Sequence, residues 1–142
     1  NADLQGVIEI CKIFNSIDSI SILGNGCMAN MFKKYLNINN VKQFARSLGN
    51  WKNRHTNSEI IINCTALGTS SKISPLDYIP EKTSLIVDLA VNDNELKKLC
   101  HNNDINYIPG LTFYKFQFLK QFQIYTNIEA DPNYFDYCSN IK

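Results

Sequence analysis

The sequence predicts an α/β fold, a doubly wound and mainly parallel sheet with helices on both faces. Three observations predict it. Short β-branched segments alternate along the chain with segments whose apolar residues recur at helical spacing. Two of the strand segments, Glu59-Ile60-Ile61-Ile62-Asn63 and Ser84-Leu85-Ile86-Val87-Asp88-Leu89, carry almost unbroken apolar runs, as strands covered on both faces do. No repeat, low-complexity tract or long linker divides the 142 residues, so residues 1–142 are expected to share one core.

The elements follow in order. Residues 6–14 place Val7, Ile10, Cys11 and Phe14 on one stripe and read as an amphipathic helix. Ser19-Ile20-Ser21-Ile22-Leu23 alternates with period two and reads as a strand ending at Gly24. A helix follows, with Met28, Met31, Phe32, Tyr35 and Leu36 inward and Asn37 as its stop. Residues 41–46 read as the second strand and 59–63 as the third; 64–83 are loop-rich, with room for one helical turn between Pro75 and Pro80. After the strand at 84–89, residues 94–101 are helical, capped by Asp93 or Asn92. A brief strand at 106–108 precedes the longest helix, 112–125, whose stripe of Phe113, Phe116, Leu119, Phe122 and Tyr125 is expected to be mostly core. Residues 131–138 supply a last helix.

Composition narrows the function. Fourteen basic and thirteen acidic side chains leave a net charge of +1, so no overall field favours nucleic acid or an anionic membrane as partner. No run approaches the ~18 apolar residues of a membrane span. Five scattered cysteines without a C-x-x-C pair disfavour a disulfide framework and a metal site, which fits a cytoplasmic protein. The chain does not open on Met, and it is expected to be a domain cut from a longer protein.

The segment Gly24-Asn25-Gly26-Cys27-Met28-Ala29 is a G-x-G-x-x-A turn lying between a strand and a helix. Gly24 allows the tight turn, Gly26 lets backbone approach a pyrophosphate, and Ala29 lets helix and strand pack closely. The helix amino end then receives the anion. An NAD site carries a carboxylate about 20 residues further on. Here no carboxylate occurs between Asp18 and Glu59, while Lys33, Lys34, Lys42, Arg46, Lys52 and Arg54 all fall in that window. Arg46 is placed to grip a 2′-phosphate through paired charge-assisted bonds, with Ser47 adding a hydroxyl and Arg54 or Lys52 a second positive group. The reading is therefore NADP rather than NAD.

These residues resemble the NADP-binding, Rossmann-like domain of the shikimate dehydrogenase family, in order along most of the chain. Asn1-Ala2-Asp3 and Asp3-Leu4-Gln5-Gly6 resemble its N-T-D and D-x-x-G segments. Gly24 to Ala29 resembles its G-A-G-G-A-A turn, Ala45-Arg46-Ser47 its N-R-T/S clamp, and Asn63-Cys64-Thr65-Ala66-Leu67-Gly68 its N-A-T-P-L-G loop. Gly110-Leu111-Thr112-Phe113 through Gln117, then Phe122 and Tyr125-Thr126, is similar to its G-x-x-M-L-V-x-Q-A…F-x-x-W-T-G helix. The family's D-x-V-Y-x-P-x-x-T segment reads here Asp88-Leu89-Ala90-Val91-Asn92-Asp93, without the Tyr and the Pro.

The resemblance implies an oxidoreductase of aromatic amino acid biosynthesis that interconverts 3-dehydroshikimate and shikimate with NADPH and NADP. It implies that Asp3 is catalytic, paired with a Lys of a preceding substrate domain that these residues do not include, so that the chain alone binds cofactor without turnover. It implies that Gln117 reaches a substrate hydroxyl, that Leu89, Gly110 and Phe113 lie at the nicotinamide, and that Cys64, Thr65 and Ala66 lie under the cofactor's ribose and phosphates. Alternatives are a quinate or other hydroxy-acid dehydrogenase domain, a non-catalytic nucleotide-binding or sensor module, and the NADP domain of another reductase such as glutamyl-tRNA reductase. Among the remaining candidates, His55 and His101 read as surface residues, Cys27 and Cys64 as small packing residues, and Asp88 as a ligand contact or a loop cap.

Overall fold

The computed structural model describes residues 1–14 and 16–139. Their strands are β1 (Ser19–Leu23), β2 (Asn40–Phe44), β3 (Ile60–Asn63), β4 (Leu85–Asp88) and β5 (Asn106–Ile108). The α-helices are α1 (Ala2–Cys11), α2 (Cys27–Tyr35), α3 (Glu95–Asn102), α4 (Gly110–Thr126) and α5 (Pro132–Ser139). The strands form one five-stranded sheet in the order β2-β1-β3-β4-β5. All four pairings are parallel.

The period of two along each strand sorts the core into two halves. Ile20, Ile22, Ile60, Ile62 and Val87 point to one face, where Val7 and Ile10 of α1, Ala29 and Phe32 of α2 and Phe113 of α4 cover them. Leu23, Ile61 and Ile86 point to the other, under Leu96 and Cys100 of α3 and Leu76 of the 64–84 connection. That connection forms no helix between Pro75 and Pro80, contrary to the sequence expectation. It covers the sheet as an irregular strap, with Leu76 almost fully buried.

Several element ends differ from expectation, each for a local reason. α1 starts at Ala2 because the Asn1 side chain accepts from the Asp3 N–H at 2.9 Å, and it ends at Cys11. β2 stops at Phe44, two residues short of Arg46, which opens a 3₁₀ turn over Arg46–Leu48. The cap of α3 is Asn94, which accepts from the Lys97 N–H at 3.0 Å, instead of Asp93 or Asn92. The stripe of α4 is core only at its start: Phe113 is 4% exposed and Tyr125 84%.

The carboxyl ends of β3, β4 and β5 are tied together by Asp88, which is fully buried at the end of β4. Its Oδ1 accepts from Asn63 Nδ2 at 2.8 Å and from the Ala90 N–H at 3.0 Å. Its Oδ2 accepts from Asn94 Nδ2 at 2.9 Å and from the Tyr107 hydroxyl at 2.7 Å. Asp88 is thus a loop cap, and burial together with this bond raises the Tyr107 hydroxyl pKa. Replacing Asp88 by Ala removes the shared acceptor of four donors, three of them on buried residues, and each group left unsatisfied costs about 1–3 kcal/mol. Urea denaturation of Asp88→Ala is expected to show a midpoint lowered by a loss of about 3 kcal/mol or more, with an unchanged slope.

Candidate nucleotide cleft

In an open parallel sheet, ligands bind where strand order reverses, outside the carboxyl ends of the strands. Here the reversal lies between β1 and β3, because β1 is followed by β2 on one side and neighbours β3 on the other. A cleft of about 390 Å³ opens there. It is lined by the Gly24–Gly26 turn, by Ala45, Arg46, Ser47 and Trp51 after β2, and by Cys64 to Leu67 after β3.

The turn after β1 is shaped by crowding. Gly24 has φ +114°, and a Cβ on it would stand 3.0 Å from the Cys64 carbonyl oxygen, so only glycine lets β1 leave the sheet this close to β3. A Cβ on Gly26 would meet nothing within 4 Å, which leaves the space over it open. Gly26 is also the N-cap of α2 and supplies no side-chain cap. The N–H groups of Cys27, Met28 and Ala29 make no hydrogen bond among the described residues. α1 and α3, by contrast, are capped by Asn1 and Asn94. The amino end of α2 is an unfilled donor set facing a cleft, which is what an anionic group requires.

Amide side chains hold the turn in place, and two of them, Gln43 and Asn50, carry no local signal in the sequence. Gln43 Nε2 approaches the Gly24 carbonyl oxygen at 3.0 Å, Asn25 Oδ1 at 3.1 Å and Asn30 Oδ1 at 3.3 Å. Asn50 accepts from the Ala45 N–H at 3.0 Å and donates to the Gln43 carbonyl at 2.9 Å. Asn25 Nδ2 donates to Ser47 Oγ at 3.2 Å, joining the glycine turn to the Arg46 turn. On the third wall, Asn63 Oδ1 accepts from the Thr65 N–H at 3.0 Å and from Thr65 Oγ1 at 2.7 Å, while Thr65 Oγ1 accepts from the Leu67 N–H.

The two candidate guanidinium groups have different fates. Arg46 is exposed on the cleft wall, and its guanidinium makes no hydrogen bond or ion pair among the described residues. Arg54 is 16% exposed and donates to the Pro75 carbonyl at 2.7 Å and to Asp77 Oδ2 at 2.7 Å. It is spent on the fold and does not line the cleft, so it is no second phosphate group. Lys52 lies in a separate open hollow with Lys42 and His55.

The side chains of other expected site residues do not line this cleft. Met28 packs against the core below α2. Cys27 is exposed, so it is not a packing residue. Leu89 is half-buried behind β4. A Cβ on Gly110 would stand 2.5 Å from the Leu89 carbonyl oxygen and 2.6 Å from that of Ala90, so backbone requires glycine there. The Phe113 ring is packed within the helix layer, where a Cβ on Gly6 would meet it at 2.6 Å. Asp3 and Gln117 are brought together: Gln117 Nε2 donates to Asp3 Oδ1 across the contact between α1 and α4. His55 is corrected from a surface residue. Its side chain is 12% exposed, stacks on Tyr78 at 4.3 Å and accepts from the Asp77 N–H, and burial followed by the Arg54 charge lowers its pKa. His101 is exposed. No cluster of His, Cys, Asp and Glu able to hold a metal and no helix long and apolar enough to cross a membrane occurs among the described residues.

Burial raises the thiols of Cys11, to about 11, and of Cys100, to about 12, where the Asp88 charge adds to it; Cys64 is pushed up further by the same two causes. A thiol near 11 is about 0.1% thiolate at pH 8. Iodoacetamide at pH 8 is therefore expected to label exposed Cys27 and to spare Cys11, Cys64 and Cys100 until the chain unfolds, read peptide by peptide in a mass spectrometer. Labelling of Cys64 at the rate of Cys27 would contradict the burial.

No family model and no curated protein sequence matches the chain. Solved structures do. A chorismate mutase/shikimate 5-dehydrogenase fusion protein from Clostridium acetobutylicum superposes with a TM-score of 0.77 at 22% identity, over 97% of this chain and 59% of that one. Shikimate 5-dehydrogenase from Thermus thermophilus, in complex with NADP(H) and shikimate, gives 0.77 at 18% identity, over 96% and 60%. Quinate dehydrogenase from Corynebacterium glutamicum, in complex with NAD, gives 0.75 at 14% identity, over 96% and 61%. The chain spans about three fifths of each of these proteins. It has, over nearly its whole length, the α/β fold that structures of shikimate dehydrogenases carry in that part of theirs.

Proposed function

We propose that the chain binds NADP across the cleft between β1 and β3 and is the cofactor domain of an oxidoreductase resembling shikimate dehydrogenase. The observation that carries the reading is the meeting, in one cleft, of an uncapped helix amino end and a guanidinium without a carboxylate partner. Gly24, Asn25, Gly26 and the N–H groups of Cys27, Met28 and Ala29 receive the diphosphate, while Thr65 and Ala66 line the opposite wall. Arg46 and Ser47 take the 2′-phosphate. The fit is chemical as well as geometric, since no carboxylate between Asp18 and Glu59 competes for that guanidinium.

A bound NADPH would supply the hydride that reduces the ring carbonyl carbon of 3-dehydroshikimate, and NADP would accept it back from the matching carbon of shikimate. Asp3 is the proposed catalytic residue of this chain. The bond from Gln117 occupies Asp3 Oδ1 and leaves Oδ2 without a partner among the described residues, available to a substrate hydroxyl or to a lysine ammonium. Gln117 keeps its carbonyl oxygen for a second hydroxyl. The lysine that completes the proton transfer belongs, on this reading, to a substrate domain outside these 142 residues.

Two outcomes test the proposal. A charge-assisted bond is worth roughly 1.5–3 kcal/mol, so Arg46→Ala is expected to weaken NADP about tenfold to a hundredfold in a calorimetric titration, with NAD affected about twofold or less. Equal losses for the two nucleotides would remove the phosphate clamp. The 142-residue chain mixed with shikimate and NADP is expected to form no NADPH by absorbance at about 340 nm; appreciable turnover would show that the lysine is not required from elsewhere.

A further inference from the structure

Trp51 is the only tryptophan of the chain. It lines the cleft beside Arg46, Ser47, Ala66 and Leu67. The chain brings it there by two consecutive 3₁₀ turns, Arg46–Leu48 and Trp51–Asn53, separated by Gly49 at φ +69°. Asn50, bonded to the backbone of Gln43 and Ala45, fixes the reversal, so that residues five apart share one cleft.

Arg54 braces the indole. The Arg54 guanidinium lies over its ring, 4.9 Å from the centroid, and Arg54 Nη1 donates to the Trp51 carbonyl at 3.3 Å. Arg54 is in turn immobilised by Pro75 and Asp77. The indole also packs against the buried cluster of Leu23, Phe44 and Leu76. Trp51 lines the cleft, and Arg54, which braces it, does not. Ordering of this aromatic surface has been completed on folding, which removes an entropic cost from binding.

The cleft therefore has three chemically distinct stretches. The glycine turn offers N–H groups, Arg46 and Ser47 offer a cation and a hydroxyl, and Trp51 with Ala66 and Leu67 offers a flat apolar surface. A diphosphate and a sugar phosphate satisfy the first two. The third suits a flat heteroaromatic base with an uncharged face. We infer that Trp51 is the stacking wall for the adenine base of the bound nucleotide, held in place by Arg54. This inference rests on the dinucleotide reading above.

The position of the lone tryptophan supplies its own probe. Adenosine 2′,5′-bisphosphate is expected to quench Trp51 emission on titration into the 142-residue chain, and nicotinamide mononucleotide is expected to leave it unchanged. Base–aromatic stacking of the usual strength predicts that Trp51→Leu weakens the bisphosphate about tenfold by calorimetry, and Trp51→Phe by about threefold or less. Because the indole also packs on the core, the emission of the unmodified chain and the Phe variant carry the test should the Leu variant not fold. Calorimetric binding of the bisphosphate with no change in emission, or with undiminished affinity in Trp51→Leu, would overturn the role of Trp51 and leave the dinucleotide reading standing. Failure of NADP and of the bisphosphate alike to bind the unmodified chain would overturn both.

Discussion

A buried carboxylate organises the edge of the sheet on which the proposed site depends. Asp88 has no cation beside it among its hydrogen-bond partners; its charge is balanced by four neutral donors drawn from β3, from the backbone after β4, from the cap of α3 and from β5. Taking a carboxylate out of water costs several kcal/mol unless its oxygens are satisfied, and two donors on each oxygen meet that condition. The consequence extends past Asp88 itself. Asn63, oriented through its Nδ2 by Asp88, offers its Oδ1 to Thr65 and so sets the path of the loop that forms one wall of the cleft. The same carboxylate pulls Asn94 into position to cap α3.

The opposite wall is organised by neutral amides, and the difference matters for charge. Gln43, Asn50 and Asn25 hold the glycine turn and the Arg46 turn together without introducing a carboxylate. Had an acidic side chain done this work, it would have neutralised Arg46, as Asp77 neutralises Arg54. Two guanidinium groups eight residues apart thus serve different ends: one is consumed in bracing the strap over the sheet, and the other stays exposed at the cleft. An unpaired cation on a cleft wall costs little because it stays hydrated, and it gains most when a phosphate replaces that water.

Features set by local periodicity are legible in the sequence. The apolar parity of Ile60, Ile61 and Ile62 announces a strand with cores on both faces, and the structure puts Ile61 in one cluster and its neighbours in the other. The glycine turn is legible because a strand and a helix flank it. Features set by contacts between distant segments are not. Nothing local to Arg54 says that Pro75 and Asp77 lie against it, and nothing local to His55 says that Tyr78 covers it. The Asn94 cap escapes a sequence reading for a similar reason: Asn92, Asp93 and Asn94 all have capping side chains, and the choice falls to the one that Asp88 can reach. The resemblance assigns Phe113 to the cofactor, yet the space beside Gly6 takes its ring into the helix layer.

Helices α1 and α4 meet at a pair of contacts whose register gives the proposed site its second half. Phe113 stands on Gly6, and Gln117, one turn further along α4, reaches Asp3, one turn earlier on α1, so the two helices run antiparallel. Gly110 begins α4 directly against the backbone of Leu89 and Ala90, leaving no loop to give way between the sheet edge and the helix. The separation of Gln117 from that edge is therefore fixed by about two turns of helix from Gly110, at about 1.5 Å per residue. A side chain larger than glycine at residue 110 would meet backbone and displace the start of α4, and Gln117 with it. In the proposed enzyme, the geometry that presents Asp3 and Gln117 to a substrate thus depends on the close backbone packing at Gly110.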